Sequence, residues 1–503
     1  MAAMPWGRRA AAAAVVSVSL MSLGCSAQPR ENSEALEWAD CADWVDTETL
    51  PTAQCTTVAV PVNWNDAANP EAPQAQLAVI RIPASGDRMG VLFANPGGPG
   101  ASAVEFVERF AAEFADSELG HRFDIVGFDP RGTGFSTPEF RCRTDAEIDE
   151  ERRESMVDNS PAGVARVEQL NREYGQKCQD RMGADFLASM DTLSTARDMD
   201  AVRAALGEKQ VNYLGFSYGT RLGTAYAELF ADRVRAMVLD GVVDQNVDPI
   251  EETVGQAQGF QDAFDTYAVD CAKSPNCPLG TDPAQFVTRY HQLVDPLVTK
   301  PAHTADPRGL SYDDAIQATN EALYNPDDWQ ALTDGLTALA NGTDAGDLLD
   351  LADRNMDRDE NGHYGSDDDA FNAIHCVDQT YSTDPADYVE ADRRWREAAP
   401  FESFGQFSGF APRDVCVFWP VKPASEQHPP TSPGPGKVLV VSTTGDPATP
   451  YQVGVDVAAQ LDAPVITYDG ARHTVTLRGV ECVDNAVEKF FIDLVLPPAG
   501  LRC

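Results

Sequence analysis

Gly215-Phe216-Ser217-Tyr218-Gly219 stands between an apolar run at 211–216 and an amphipathic stretch at 219–230. The run reads as a buried strand and the stretch as a helix, so the serine falls on a sharp strand-to-helix turn. A serine hydroxyl is a weak nucleophile at neutral pH; it needs an exposed, fixed position and a base within reach. The turn supplies the exposure, and glycine on either side removes bulk that would strike the backbone. A glycine-rich turn whose serine merely caps the helix would share the pentapeptide, so the reading depends on what the rest of the chain supplies.

Outward from this turn the chain keeps one grammar. Short β-branched or apolar runs at 56–62, 76–82, 90–94, 123–128 and 234–240 read as strands, and helical stretches at 101–115 and 195–206 lie among them. Strands alternating with helices predict βαβ units and a mostly parallel sheet. After Asp244 the alternation breaks. From 249 to 430 the pattern is mostly helical, with acidic linkers, and strand-type runs resume at 437–443 and 464–468 before a closing helix at 483–494. The fold class is therefore α/β, a parallel sheet flanked by helices and split by a large helical lid. The expected units are a leader at 1–25, a tether and N-terminal cover at 26–55, a first core part at 56–248, the lid at 249–430 and a second core part at 431–503. The chain has 503 residues. At ~150 residues per unit that is about three units, which one large fold with an insertion satisfies.

The resumed sheet supplies partners for Ser217. Asp446 follows the 437–443 strand in Thr444-Gly445-Asp446-Pro447, and His473 follows the 464–468 strand in Gly470-Ala471-Arg472-His473. Carboxyl ends of parallel strands are where open α/β sheets gather their functional groups. Nucleophile, then acid, then histidine is also the chain order that a Gly-x-Ser-x-Gly turn requires. His473 would take the Ser217 proton and Asp446 would orient the imidazole. Of the seven histidines only His473 follows a late strand; Asp240 and Asp244 are the rival acids, after the 234–240 strand. Developing negative charge needs two backbone N–H donors. Tyr218, next to the nucleophile, offers one. Asn95-Pro96-Gly97-Gly98-Pro99-Gly100 offers the other, with Gly98 the better candidate and Gly97 second, since the prolines have no N–H.

Composition narrows the function classes. Lys plus Arg number 38 against 79 Asp plus Glu, a formal charge of −41. Such a chain repels phosphate backbones, so nucleic acid is not an expected partner. No G-x-G-x-x-G or G-K-[ST] motif is present, and no nucleotide or other cofactor is implied. Arg8 and Arg9 precede an apolar run at 10–23 that is short for a membrane span, the form of an export leader. It ends in Ser22-Leu23-Gly24-Cys25, which looks like a bacterial lipobox with Cys25 lipidated, although Ser22 stands where leucine is usual. Membrane association is expected only through that anchor.

Ten cysteines remain, an even number in a chain expected to meet an oxidising compartment. Their spacing suggests the pairs Cys41–Cys55, Cys142–Cys178, Cys271–Cys277, Cys376–Cys416 and Cys482–Cys503. Residues 357–368 also match a calcium-loop pattern, with Asp368 in place of the usual glutamate. Asp is shorter there and the chain is acidic throughout, so an ordinary surface loop is the favoured reading and no metal is expected.

Together these residues resemble the α/β-hydrolase fold serine peptidases of the prolyl-aminopeptidase/tripeptidyl-aminopeptidase group, and especially the actinobacterial secreted or lipid-anchored members with a TAP-like C-terminal segment. The matching stretches are 95–100, 129–136, 215–220, 240–244, 373–378, 445–450 and 470–473, in order through nearly the whole chain. The resemblance implies Ser217, Asp446 and His473 as the triad, Thr449 in a supporting place, a lid that gates substrate, and release of short peptides or single residues from free N-termini. An exopeptidase must hold the substrate's α-ammonium, and carboxylates are its natural partners. Asp378 leads, with Glu251 and Asp244 next. A carboxylesterase or lipase on the same triad is the alternative, and a binding protein on an inactive scaffold is the third reading.

Overall fold

The computed structural model describes Leu36–Cys503 with the exception of Ala424, so the leader and Cys25 lie outside the described residues. Eight strands form one sheet: β1 (Gln54–Pro61), β2 (Gln74–Ile82), β3 (Gly90–Asn95), β4 (Phe123–Phe128), β5 (Val211–Phe216), β6 (Val234–Asp240), β7 (Val438–Thr443) and β8 (Val465–Tyr468). Their spatial order is β1-β2-β4-β3-β5-β6-β7-β8. The first two strands enter antiparallel, and every pair from β4 to β8 is parallel.

Every residue of β3, β4, β5 and β7 is buried, as parallel strands covered on both faces must be. Their side chains alternate between two cores. Phe93, Tyr213, Leu239 and Val440 face one, while Leu92, Leu214, Val238 and Leu439 face the other. A third core belongs to the insertion between β6 and β7, where Phe264 stacks on Phe401 with ring centroids 4.6 Å apart. Its helices include Pro249–Cys271, Tyr312–Leu323, Trp329–Asn341, Asp367–Asp378 and Pro385–Ala398.

Two elements depart from the sequence reading. The stretch expected as one helix at 101–115 is two, Ala103–Arg109 and Ala111–Asp116, separated at Phe110. A 22-residue helix, Pro161–Met182, was not expected; it buries only Gly163, Gly175 and Cys178 and carries almost no apolar stripe. All five cysteine pairs are disulfides. The 357–368 loop closes on itself: Asp359 accepts the backbone N–H of Asn361 and of His363, each at 2.8 Å. Among the described residues no group of three or more His, Cys, Asp or Glu is arranged to hold a metal ion. No described helix is long and apolar enough to cross a membrane.

Candidate active site

The strand register brings the site residues to one edge. Asn95 pairs with Gly215, Phe216 with Asp240, Asp240 with Val441, and Thr443 with Tyr468. The loops that follow β3, β5, β6, β7 and β8 therefore rise side by side at the carboxyl end of the sheet.

Ser217 sits between β5 and the helix Tyr218–Leu229 with φ 54° and ψ −128°, a backbone conformation that side chains rarely adopt. Strain of this kind persists only where the surroundings enforce it. Here the Ser217 N–H donates to Asp240 O at 2.9 Å. A Cβ on Gly215 would lie 2.5 Å from Gly219 O, and one on Gly219 would lie 2.8 Å from Asn95 O. Those two glycines let strand, turn and neighbouring loop close on the serine.

His473 lies against Asp446. Its Nδ1 lies 2.8 and 3.0 Å from the two Asp446 oxygens, and the Asp446 side chain is fully shielded from solvent. Backbone N–H groups of Ala448 and Thr449 donate to Asp446 Oδ1 at 3.0 and 2.9 Å, which fixes the carboxylate. Burial, the largest single influence, favours the neutral imidazole, but the charge and hydrogen bond of Asp446 together with the charge of Asp240 raise the His473 pKa above the ordinary histidine value. Thr449 Oγ1 stands 3.4 Å from the same nitrogen, beside the pair. The lid supports the ring too: His473 N–H donates to Tyr324 O at 2.8 Å, and the Tyr324 ring meets the imidazole edge-on at 5.3 Å. Ser217 Oγ makes no hydrogen bond to a described residue. A Cβ on Gly241, the residue after Asp240, would come within 3.2 Å of His473 Cε1. Asp446 and His473 are in contact, and no hydrogen bond joins His473 to Ser217 among the described residues; catalytic hydrogen bonds are often long without substrate.

Asp240, the rival acid, does other work. It accepts Val475 N–H at 2.9 Å and Thr476 N–H at 2.7 Å, and so pins the loop that carries His473. The oxyanion donors also separate. Gly97 N–H is occupied by Asn95 Oδ1 at 3.1 Å, whereas the N–H groups of Gly98 and Tyr218 have no acceptor among the described residues. Both Gly98 and Tyr218 line the cavity over Ser217.

That cavity holds about 510 Å³ and is lined by Asp244, Glu251, Glu252 and Asp414 among others. Asp378, first choice for the substrate amine, is a correction: it is buried away from this cavity. Its carboxylate accepts the Thr192 N–H at 2.9 Å and the Thr192 hydroxyl, and pairs with Arg221 Nε at 3.5 Å. Thr192 in turn meets the Tyr218 hydroxyl, so Asp378 braces the residue that offers an oxyanion donor. Glu251 lines the cavity but is exposed and held by Arg394 at 2.5 and 2.6 Å. Sequence reasoning missed Glu252. Burial raises its pKa above the ordinary glutamate value and Asp244 pushes the same way, against a hydrogen bond from Gln379 at 2.8 Å and the charge of Arg221.

A family model described as alpha/beta hydrolase fold matches residues 90–479. The chain belongs to the α/β-hydrolase family. This α/β hydrolase is 55% identical over 467 residues to "Carboxylesterase B" of Mycobacterium tuberculosis, covering 93% of the chain and 89% of that protein. To "Serine protease Hip1" of the same species it is 48% identical over 509 residues, covering 98% and 96%. To "Tripeptidyl aminopeptidase" of Streptomyces coelicolor it is 32% identical over 512 residues, covering 97% and 87%. The chain is thus a serine hydrolase.

Proposed function

We propose that this α/β hydrolase is an exported serine exopeptidase that releases short peptides, tripeptides foremost, from free N-termini. In the proposed cycle Ser217 Oγ attacks the scissile carbonyl as its proton passes to His473. Asp446 holds the imidazolium, and the N–H groups of Gly98 and Tyr218 receive the oxyanion. His473 then returns the proton to the leaving amine, which departs. Water repeats the sequence on the acyl-enzyme and frees Ser217.

The observation that carries the reading is Glu252. A half-buried carboxylate without an Arg or Lys salt bridge among the described residues lines the cavity over the nucleophile. An α-ammonium is the group that would neutralise it. A cavity of about 510 Å³ also limits what lies beyond the scissile bond to a few residues. Tripeptide anilides with free and acetylated N-termini test this directly. The free amine should be turned over and the blocked one should not, and Glu252→Gln should raise KM for the free substrate roughly 10- to 100-fold.

A carboxylesterase is the second reading, favoured by the 55% identical relative of that name. Short acyl esters hydrolysed faster than any tripeptide anilide, with Glu252→Gln indifferent, would establish it instead. Export and lipidation at Cys25 belong to the same proposal. Five disulfides support an extracytoplasmic setting. Cys25→Ala should move the protein from the membrane to the soluble fraction.

A further inference from the structure

Twelve buried side-chain polar atoms lack a hydrogen-bond partner among the described residues. Five of them belong to residues that line one cavity: Arg152 Nη2, Tyr312 OH, Gln317 Oε1, Asn320 Oδ1 and Glu402 Oε2. Each such atom is costly while it stays unpartnered, so their gathering in one place calls for a reason. The cavity holds about 540 Å³ and shares no lining residue with the one over Ser217. It lies between the lid helix Tyr312–Leu323 and the core segment around Arg143–Asn159. Asp313, Gln317 and Asn320 share one face of that helix, at i, i+4 and i+7.

The charges on its wall are unevenly satisfied. Arg143 pairs with Glu151, Asp368 and Asp369, Arg152 with Asp314 and Asp353, and Arg396 with Asp392. Glu402 and Asp313 have no Arg or Lys partner among the described residues. Burial raises the first to about 7 and the second to about 6. Trp395 and Phe404 add aromatic lining, with Phe404 edge-on to Tyr312 at 5.6 Å. Ordered water could satisfy single atoms. It brings no counter-charge for the half-buried Glu402 and Asp313 carboxyls.

We propose that this cavity is a second binding site, for a small molecule carrying a protonated amine beside a carbonyl or carboxylate oxygen, the chemistry of a free amino acid or short peptide. The ammonium meets Glu402, Asn320 and Gln317, with Asp313 adding charge, and the oxygen meets Arg152 Nη2. The remainder of the ligand lies on Trp395 and Phe404, where a nearby cation is also favoured. The Glu and Gln acceptors end soft terminal torsions, so they turn toward a ligand at little cost. The volume falls in the range of ordinary ligand pockets, about 300–1,000 Å³.

Calorimetric titration of the full chain tests the site. A Glu252→Gln background, with Ser217 blocked by a fluorophosphonate, removes amine binding at the catalytic cavity and keeps the result independent of the exopeptidase reading. L-leucine should bind with one site per chain, L-leucinamide should also bind, and N-acetyl-L-leucine should not. Glu402→Gln should weaken L-leucine at least tenfold and leave anilide turnover of the otherwise unaltered enzyme unchanged. The proposal falls if L-leucine gives no saturable heat, if the acetylated form binds as tightly, or if a folded Glu402→Gln chain keeps the same Kd. Should that variant fail to fold, Gln317→Leu reads the same loss.

Discussion

Asp446 does two things to His473: it holds Nδ1 and raises the pKa of the ring. A general base acts only when neutral, so kcat/KM should rise with pH along a limb centred above the ordinary histidine value of about 6.5. Asp446→Asn removes the charge and the correct tautomer together. The limb should then move to lower pH while kcat falls by about 10⁴-fold, as the pH–rate profile of each enzyme will show. Asp240→Asn should lower activity much less, because Asp240 bonds the loop and not the ring. The Asp446–His473 contact was legible because each residue follows a strand and chain order excluded most rivals. The place of Glu252 in the cavity was not. Glu251 and Glu252 are neighbours on one helix, about 100° apart around its axis, and nothing in the spacing says which of them Arg394 claims. Asp378 leads in the sequence reading, but Thr192 and Arg221, both far away in sequence, claim its carboxylate.

The lid helix Pro249–Cys271 seats directly on the loop that carries the acid. At Gly259 a Cβ would lie 2.4 Å from Pro447 O and 3.4 Å from Asp446 O, and Gln256 Nε2 donates to Ala448 O at 3.0 Å. Gly255, one turn earlier, has nothing within 4 Å. The two glycines should therefore respond oppositely to alanine. Gly255→Ala should stabilise the protein by about 0.5–1 kcal/mol through helix propensity. Gly259→Ala must push the helix off backbone, which costs about 1–3 kcal/mol and should slow fluorophosphonate labelling of Ser217 by disturbing Asp446. Thermal melts and labelling rates of the pair separate propensity from contact. Elements showed the same contrast in the sequence. β3 to β8 were legible because buried parallel strands are continuous apolar runs bounded by turns. Pro161–Met182 was not, since a helix that buries two glycines and a cysteine leaves no 3.6-residue apolar period to find.

At the scale of the molecule, the disulfides fasten what lies outside the sheet. Cys41–Cys55 ties the N-terminal cover to β1, and Cys142–Cys178 closes the excursion between β4 and β5. Cys271–Cys277 ends the first lid helix, Cys376–Cys416 joins a cavity-lining helix to the lid's return segment, and Cys482–Cys503 holds the tail. Their sequence separations run from 6 to 40 residues. Loop-closure entropy then assigns each about 2–4 kcal/mol of stabilisation, and together they rival the 5–15 kcal/mol that typically separates a folded chain from an unfolded one. The acidic charge of −41 adds self-repulsion that the compact state must overcome. Without its bridges the chain should therefore lack the margin to stay folded. Produced in a reducing cytosol it should give no fluorophosphonate-reactive serine, and produced in an oxidising compartment it should give one labelled serine per chain. If the reduced chain labels equally well and melts at the same temperature, the sheet and lid cores carry the fold alone and the bridges serve only against proteolysis. Cys376→Ser/Cys416→Ser made in the oxidising compartment gives the graded form of the test. It should lower stability by about 4 kcal/mol and raise KM, because Cys416 and the helix bearing Cys376 both form walls of the catalytic cavity.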